Sequence, residues 1–171
     1  MESKTKFFGH ALHPLLIVFP LGLLLTSVIF DGLAVVTHNR KLSLSAFYTL
    51  GAGVLSGLTA SIFGLIDWVA LPENTRAKRI GLTHGLTNTA VSMLFGTSWL
   101  LRRDDPHKPT NTALLLSVVG AGLAGFGGWL GGELVERLGV GIDSGANLNA
   151  PNSLTGQPAG ESTVNQYAQP F

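Results

Sequence analysis

The chain has no cysteine among its 171 residues. That absence excludes thiolate metal sites, iron–sulfur ligation and covalent haem attachment through a CxxCH motif within this chain. Charge is scarce as well. Charged side chains make up 12% of the sequence, about half the share typical of a soluble domain. A formal net charge of +1 offers no argument for nucleic acid. No Ser-His-Asp spacing is present, and the glycine-rich stretch 120–132 follows no strand, so a nucleotide-binding loop is excluded for lack of context. An enzyme in the ordinary sense finds little support.

What the chain has instead is four long apolar runs, at 15–36, 47–71, 80–101 and 112–135. Each is long enough to cross a hydrocarbon core of about 30 Å. Backbone in hydrocarbon must satisfy its hydrogen bonds internally, so the runs predict helices. The expected fold class is all-α: an integral membrane four-helix transmembrane bundle within residues 1–143. A polar tail, 144–171, carries one charge, Glu161, and no apolar period, and is expected to be disordered. Lys4 and Lys6 precede the first run as in a signal peptide. The run exceeds a typical h-region and no small-x-small cleavage site follows it, so it is expected to be retained as a helix. Four spans put both termini on one side of a multi-pass protein. Lys and Arg divide almost evenly between the two sides, which leaves the orientation open. Trp68, Trp99 and Trp129 fit an aromatic belt.

Between helices in lipid, small residues that let backbones approach are the packing signal. Gly53, Gly57, Ala60, Gly64 and Asp67 share one face of the second span. The fourth span carries Gly120, Ala124, Gly128 and Gly132, with Gly127 and Gly131 beside them. Such faces predict close packing within the bundle, a homo-oligomer contact, or room for a flat cofactor. The third span is the least apolar. His84, Asn88 and Ser92 recur at i, i+4, i+8, and a stripe of that kind faces the bundle interior. Pro14 opens the first span, with His13 ahead of the helix as a candidate cap, and Pro20 is expected to kink it.

The ionisable residues gather at one end. His10 and His13 open the first span, Asp67 closes the second, His84 opens the third, and Glu133 and Glu136 close the fourth. Antiparallel helices bring these six to one layer roughly 10 Å deep. The other end keeps Asp31 and His38, while Arg102 to Lys108 read as a loop. Each of the six has a plain explanation: interfacial histidines, or carboxylates paired with the basic stretch Arg76–Arg79. Neutral imidazole is nevertheless the commonest protein ligand for transition metals and haem iron. One reading is a haem b held axially by His84 and His13, with His10 as substitute and Asn88 beside it. A second is a mixed N/O site of His10, His13, Asp67, His84 and Glu133 for zinc, iron or copper. A third is a proton or ion path; a chain with no cofactor also stands.

The stretch Gly9-His10-Ala11-Leu12-His13-Pro14-Leu15-Leu16-Ile17-Val18-Phe19-Pro20 resembles the opening motif of the DUF2231 family of small bacterial membrane proteins. Asp31, Gly64-Leu65-Ile66-Asp67, Thr83-His84 with Asn88, Gly131-Gly132-Glu133-Leu134-Val135 and Gly139-Val140-Gly141 fit its later motifs, so the resemblance covers residues 8–142. The family's domain turns up joined to Rieske-type or cytochrome c-type modules. The resemblance therefore implies membrane redox work in a bacterial inner membrane, with haem b or another redox metal. Many members carry a further histidine where this chain has Val18, and another where it has Leu138. His10, His13 and His84 still leave a two-ligand site. The leading expectation is thus electron transfer in the membrane, with redox proteins as partners. The alternative is a non-catalytic accessory subunit docking to a larger membrane complex through its glycine-rich helices. A metal or proton transporter ranks third, because no internal repeat relates the two halves.

Overall fold

The structure, a computed structural model, describes residues 1–160. Four helices form an antiparallel bundle: α1 Leu12–Thr37, α2 Arg40–Val69, α3 Arg76–Leu100 and α4 Asn111–Gly132. α4 continues through one π turn, Glu133–Arg137. Ahead of α1 lies a two-residue antiparallel hairpin, β1 Lys6–Phe7 with β2 His10–Ala11. Its turn holds Phe8 and Gly9 at positive φ, and a Cβ on Gly9 would lie 2.6 Å from the Cβ of Ser153. Of the tail 144–171 expected to be disordered, residues 144–160 hold one 3-10 turn, Ser153–Thr155, and 161–171 lie outside the described residues.

Caps set the helix ends. The side chains of Asn39, Thr75 and Thr110 accept the backbone N–H of Lys41, Lys78 and Ala113, satisfying donors that a first turn leaves free. α2 and α3 therefore begin at charged residues, Arg40 and Arg76, ahead of their apolar runs. α1 starts at Leu12 with Ala11 as its cap residue and no side-chain cap. His13 is consequently inside the first helical turn, which corrects the expectation that it precedes and caps the helix. At the far end of α2, Lys78 Nζ donates to the carbonyls of Trp68, Val69 and Leu71, and the Trp68 indole donates to the Lys78 carbonyl. That exchange occupies carbonyls a helix end would leave unpaired.

Three helices are long and apolar enough to cross a membrane: α1, α2, and α4 with its π turn. α3 falls short on composition because His84, Asn88 and several serines and threonines interrupt its apolar run. Its outward stripe, Leu82, Leu86, Met93 and Leu100, is exposed and apolar, as suits a lipid-facing surface. Several of its hydroxyls and amides bond back to their own helix, Thr83 to the Arg79 carbonyl, Asn88 to that of His84 and Thr89 to that of Gly85, which lowers the cost of polar groups in lipid.

α1 packs most extensively on α2, and α3 on α4. The glycines say why. A Cβ on Gly53 would meet Leu24 at 2.8 Å, and one on Gly64 would meet the His13 ring at 2.8 Å. On α4, Gly120 receives Phe95, Gly127 receives Asn88 and Gly131 receives His84. The close-packing expectation for these faces holds. The stripe on α4 splits, however: Gly128 and Gly132 have no atom within 4 Å and face outward. Trp129 is exposed and Trp68 half-buried, but Trp99 turns inward against Gly51 rather than joining a belt.

Candidate functional site

Along its axis the bundle alternates polar, apolar and polar layers. Leu24, Leu50, Val54, Val91 and Phe95 fill the middle. The layer nearer the hairpin holds His13, His84 and Asn88. His13 on α1 reaches across to α2, its Nδ1 lying 2.9 Å from the Ala60 carbonyl oxygen. His84 on α3 reaches α4 in the same way, Nδ1 to the Gly127 carbonyl oxygen at 2.9 Å. A carbonyl only accepts, so both imidazoles carry their proton on Nδ1 and keep the lone pair on Nε2. The two ring centroids are 6.3 Å apart and the planes nearly perpendicular, at 87°. The Asn88 amide nitrogen is 3.3 and 3.2 Å from Nδ1 and Nε2 of His84. Near-equal distances put that amide against the ring face, not in line with either lone pair. Its well-formed bond goes to the His84 carbonyl at 2.9 Å.

The other expected members are placed elsewhere at the same end. Asp67 is buried and bound by the N-terminal segment ahead of β1: Ser3 Oγ donates to Oδ2 and the Lys4 N–H to Oδ1, both at 2.7 Å. Glu133 takes a 2.6 Å bond from the Arg76 guanidinium. Glu136 is exposed, as is His10, which lies on β2 and lines a cavity of about 850 Å³ between the hairpin and residues 141–159. The end of the bundle is thus strapped rather than open. Met1 and Gly141, Glu2 and Ser144, and Lys6 with both Glu2 and Asp143 tie the N-terminal segment to the chain after α4.

Within that strap the Lys6 hydrogen bond, with a second from the Ser144 N–H, lowers the Glu2 pKa to about 2. Lys6 is raised by its bonds to Asp143 and Glu2. A depressed carboxylate holds its contacts above the unfolded value of 4.5 and loses them as pH falls toward about 2. The Ser144 amide resonance is therefore expected to stay fixed down to pH 4.5 and to titrate below it; titration near 4.5 would show the strap to be loose.

At the opposite end a feature emerges that the loop expectation for Arg102 missed. Arg102 is 0% exposed and folds back into the bundle. Its Nη1 and Nη2 donate to the two Asp31 carboxylate oxygens, each at 2.8 Å. Nη2 also lies 3.1 Å from Ser98 Oγ and 3.1 Å from Ser117 Oγ. Ser98 in turn donates to the Ala113 carbonyl at 2.7 Å. One ion pair thereby joins α1, α3 and α4. Arg102 Nε has no partner among the described residues. The sequence held a signal for it: Ser98 and Arg102 are spaced i, i+4, and Asp31, a carboxylate inside a span, requires a cation.

Among the described residues no three His, Asp or Glu side chains are arranged to hold a metal ion. The five-residue N/O set is therefore not assembled; His13 and His84 remain as a pair. A haem held between helices requires a slot for a flat macrocycle, and the inward glycines that would line one are filled by Leu24, Pro20, His13, Asn88, Phe95 and His84. The macrocycle does not fit this packing. A bare ion is compatible with the donor set, because both imidazoles have the second-shell carbonyl that metal-bound histidines usually have.

No curated protein and no solved structure matches the chain. A family profile described as "Predicted membrane protein (DUF2231)" matches residues 9–144, from the hairpin turn to just past the π turn. With four fifths of the sequence and both polar layers inside that match, the protein belongs to the DUF2231 family of predicted membrane proteins.

Proposed function

We propose that this chain is a multi-pass protein of a bacterial inner membrane that holds one transition-metal ion between His13 and His84 and serves a membrane redox system. The observation that carries this reading is the matched anchoring of the two imidazoles. Each is tied through Nδ1 to a backbone carbonyl of the neighbouring helix, which orients the ring and presents Nε2 as the ligand atom. Imidazole suits copper, iron and zinc, and copper or iron would supply one-electron chemistry when bound. The chain's own contribution is rigidity and exclusion of water: the apolar layer seals one side, and Asp67 with Ser3 caps the other about one turn beyond His13. Titration of Cu or Zn into the purified chain is expected to show one ion bound. His13→Ala and His84→Ala should each weaken it by more than about 100-fold, beyond the 10- to 100-fold typical of second-shell loss. Unchanged binding in both variants would end the assignment.

A second reading, an accessory subunit, draws on the outward side of α4. Gly122, Gly125 and Gly128 have no atom within 4 Å, and Phe126 and Trp129 stack with centroids 6.0 Å apart and both exposed. A face of small residues beside aromatics suits a partner helix. Gly125→Leu is expected to release the chain from any such complex while leaving metal binding intact.

A further inference from the structure

The groove between the end of α2 and the start of α3 has a volume of about 400 Å³ and is lined by Trp68, Val69, Glu73, Lys78, Arg79 and Leu82. Its two aliphatic walls, Val69 and Leu82, are exposed, and Leu82 heads the lipid-facing stripe of α3. Arg79 is three residues before Leu82 on the same helical face, about 4.5 Å nearer the helix end. The groove therefore runs from a charged rim into an apolar wall, as a lipid does from headgroup to chain.

Its charges are unequal. Lys78 Nζ is committed to three carbonyls at the end of α2, to Glu73 at 3.0 Å, and to the Trp68 ring at 4.4 Å from the centroid. The Glu73 carboxylate also faces the groove, and Lys78 answers it. Among the described residues Arg79 bonds only through its backbone, its N–H to the Thr75 carbonyl and its own carbonyl to the Thr83 hydroxyl. Among the described residues no carboxylate compensates its exposed guanidinium. We propose that this groove binds an anionic phospholipid, with Arg79 holding the phosphate, the Trp68 ring forming the side wall and one acyl chain lying along Val69 and Leu82. A guanidinium suits the role because its planar donors match two phosphate oxygens at once. Neutrality of the Lys78–Glu73 pair sets the groove's charge to match a single phosphodiester.

Native mass spectrometry of the full chain, extracted in mild detergent from equimolar phosphatidylglycerol and phosphatidylcholine bilayers, tests this. The wild-type chain should retain one phosphatidylglycerol in preference to phosphatidylcholine. Arg79→Gln should lower that occupancy about fivefold, the scale of one basic side chain at an anionic surface. Arg79→Lys should retain part of it, and Arg103→Gln, at the opposite end, should change nothing. Equal retention of both lipids by the wild-type chain, full retention by Arg79→Gln, or an equal fall in Arg79→Gln and Arg103→Gln would overturn the proposal. Arg79 is exposed and outside both polar layers, so an unchanged thermal midpoint in Arg79→Gln identifies the loss as one of lipid binding, not of fold.

Discussion

Asp31→Ala is expected to cost the bundle about 3–5 kcal/mol, the scale of removing one partner from a buried ion pair. The cost arises from what remains. Arg102 is 0% exposed, and without the carboxylate its two strongest acceptors, both at 2.8 Å, are gone. Ser98 and Ser117 at 3.1 Å offer neutral oxygens only, and cannot balance the guanidinium's charge. The pair's net worth is a separate quantity. Bringing both charges out of water is itself expensive, so replacing the two together, Asp31→Leu with Arg102→Met, should fall near neutral or even stabilise by about 1–4 kcal/mol. Unfolding midpoints of the two singles and the double in detergent close the cycle. A single-variant loss under about 1 kcal/mol would mean that water reaches Arg102.

The second large effect is at Gly64. An alanine Cβ there would lie 2.8 Å from His13 Nδ1 and 2.9 Å from its Cε1, closer than atoms can pack, and the ring has no flexible end to yield. His13 must leave the Ala60 carbonyl, which releases the tautomer and orientation that the bond fixes. Metal affinity should fall about 10- to 100-fold, as when a second-shell partner is removed. Overpacking adds about 1–3 kcal/mol of destabilisation, partly offset by the roughly 1 kcal/mol that alanine gains over glycine within a helix. Gly57→Ala is the control, because its Cβ would rest 3.4 Å from Pro20, an ordinary contact, and binding there should be unchanged. Equal losses in the two variants would show that the effect comes from helix packing and not from His13.

Helix number and the close-packed face of α2 were legible because both follow from local pattern. Apolar runs of span length report the helices, and Gly53, Gly57 and Gly64 on one face report where a neighbour approaches. Helix starts were legible only through caps. Asn39 and Thr75 lie in polar stretches that hydropathy ignores, so Arg40 and Arg76 looked external although both are helical. The inward stripe of α3 was readable from the i, i+4 spacing of His84 and Asn88. The partner of Glu133 was readable too, since Arg76 belongs to the basic stretch Arg76–Arg79; those of Asp67 were not, because Ser3 and Lys4 reach it through tertiary contacts 64 and 63 residues away in sequence. Arg102 was misplaced for a related reason. An arginine just past a helix end reads as solvated, and although Asp31 inside a span calls for a cation, only the fold shows that Arg102 is the one that answers it.

His13 and His84 together are proposed to hold a metal ion. The most direct test is the Cu, Fe and Zn content of the chain purified from membranes in mild detergent, taken with its reduced-minus-oxidised visible spectrum. One ion per chain in the wild-type protein, lost in a folded His84→Ala variant and without haem bands, is the predicted result. A metal-free wild-type chain, equal metal in the variant, or Soret and α bands from a haem would contradict it.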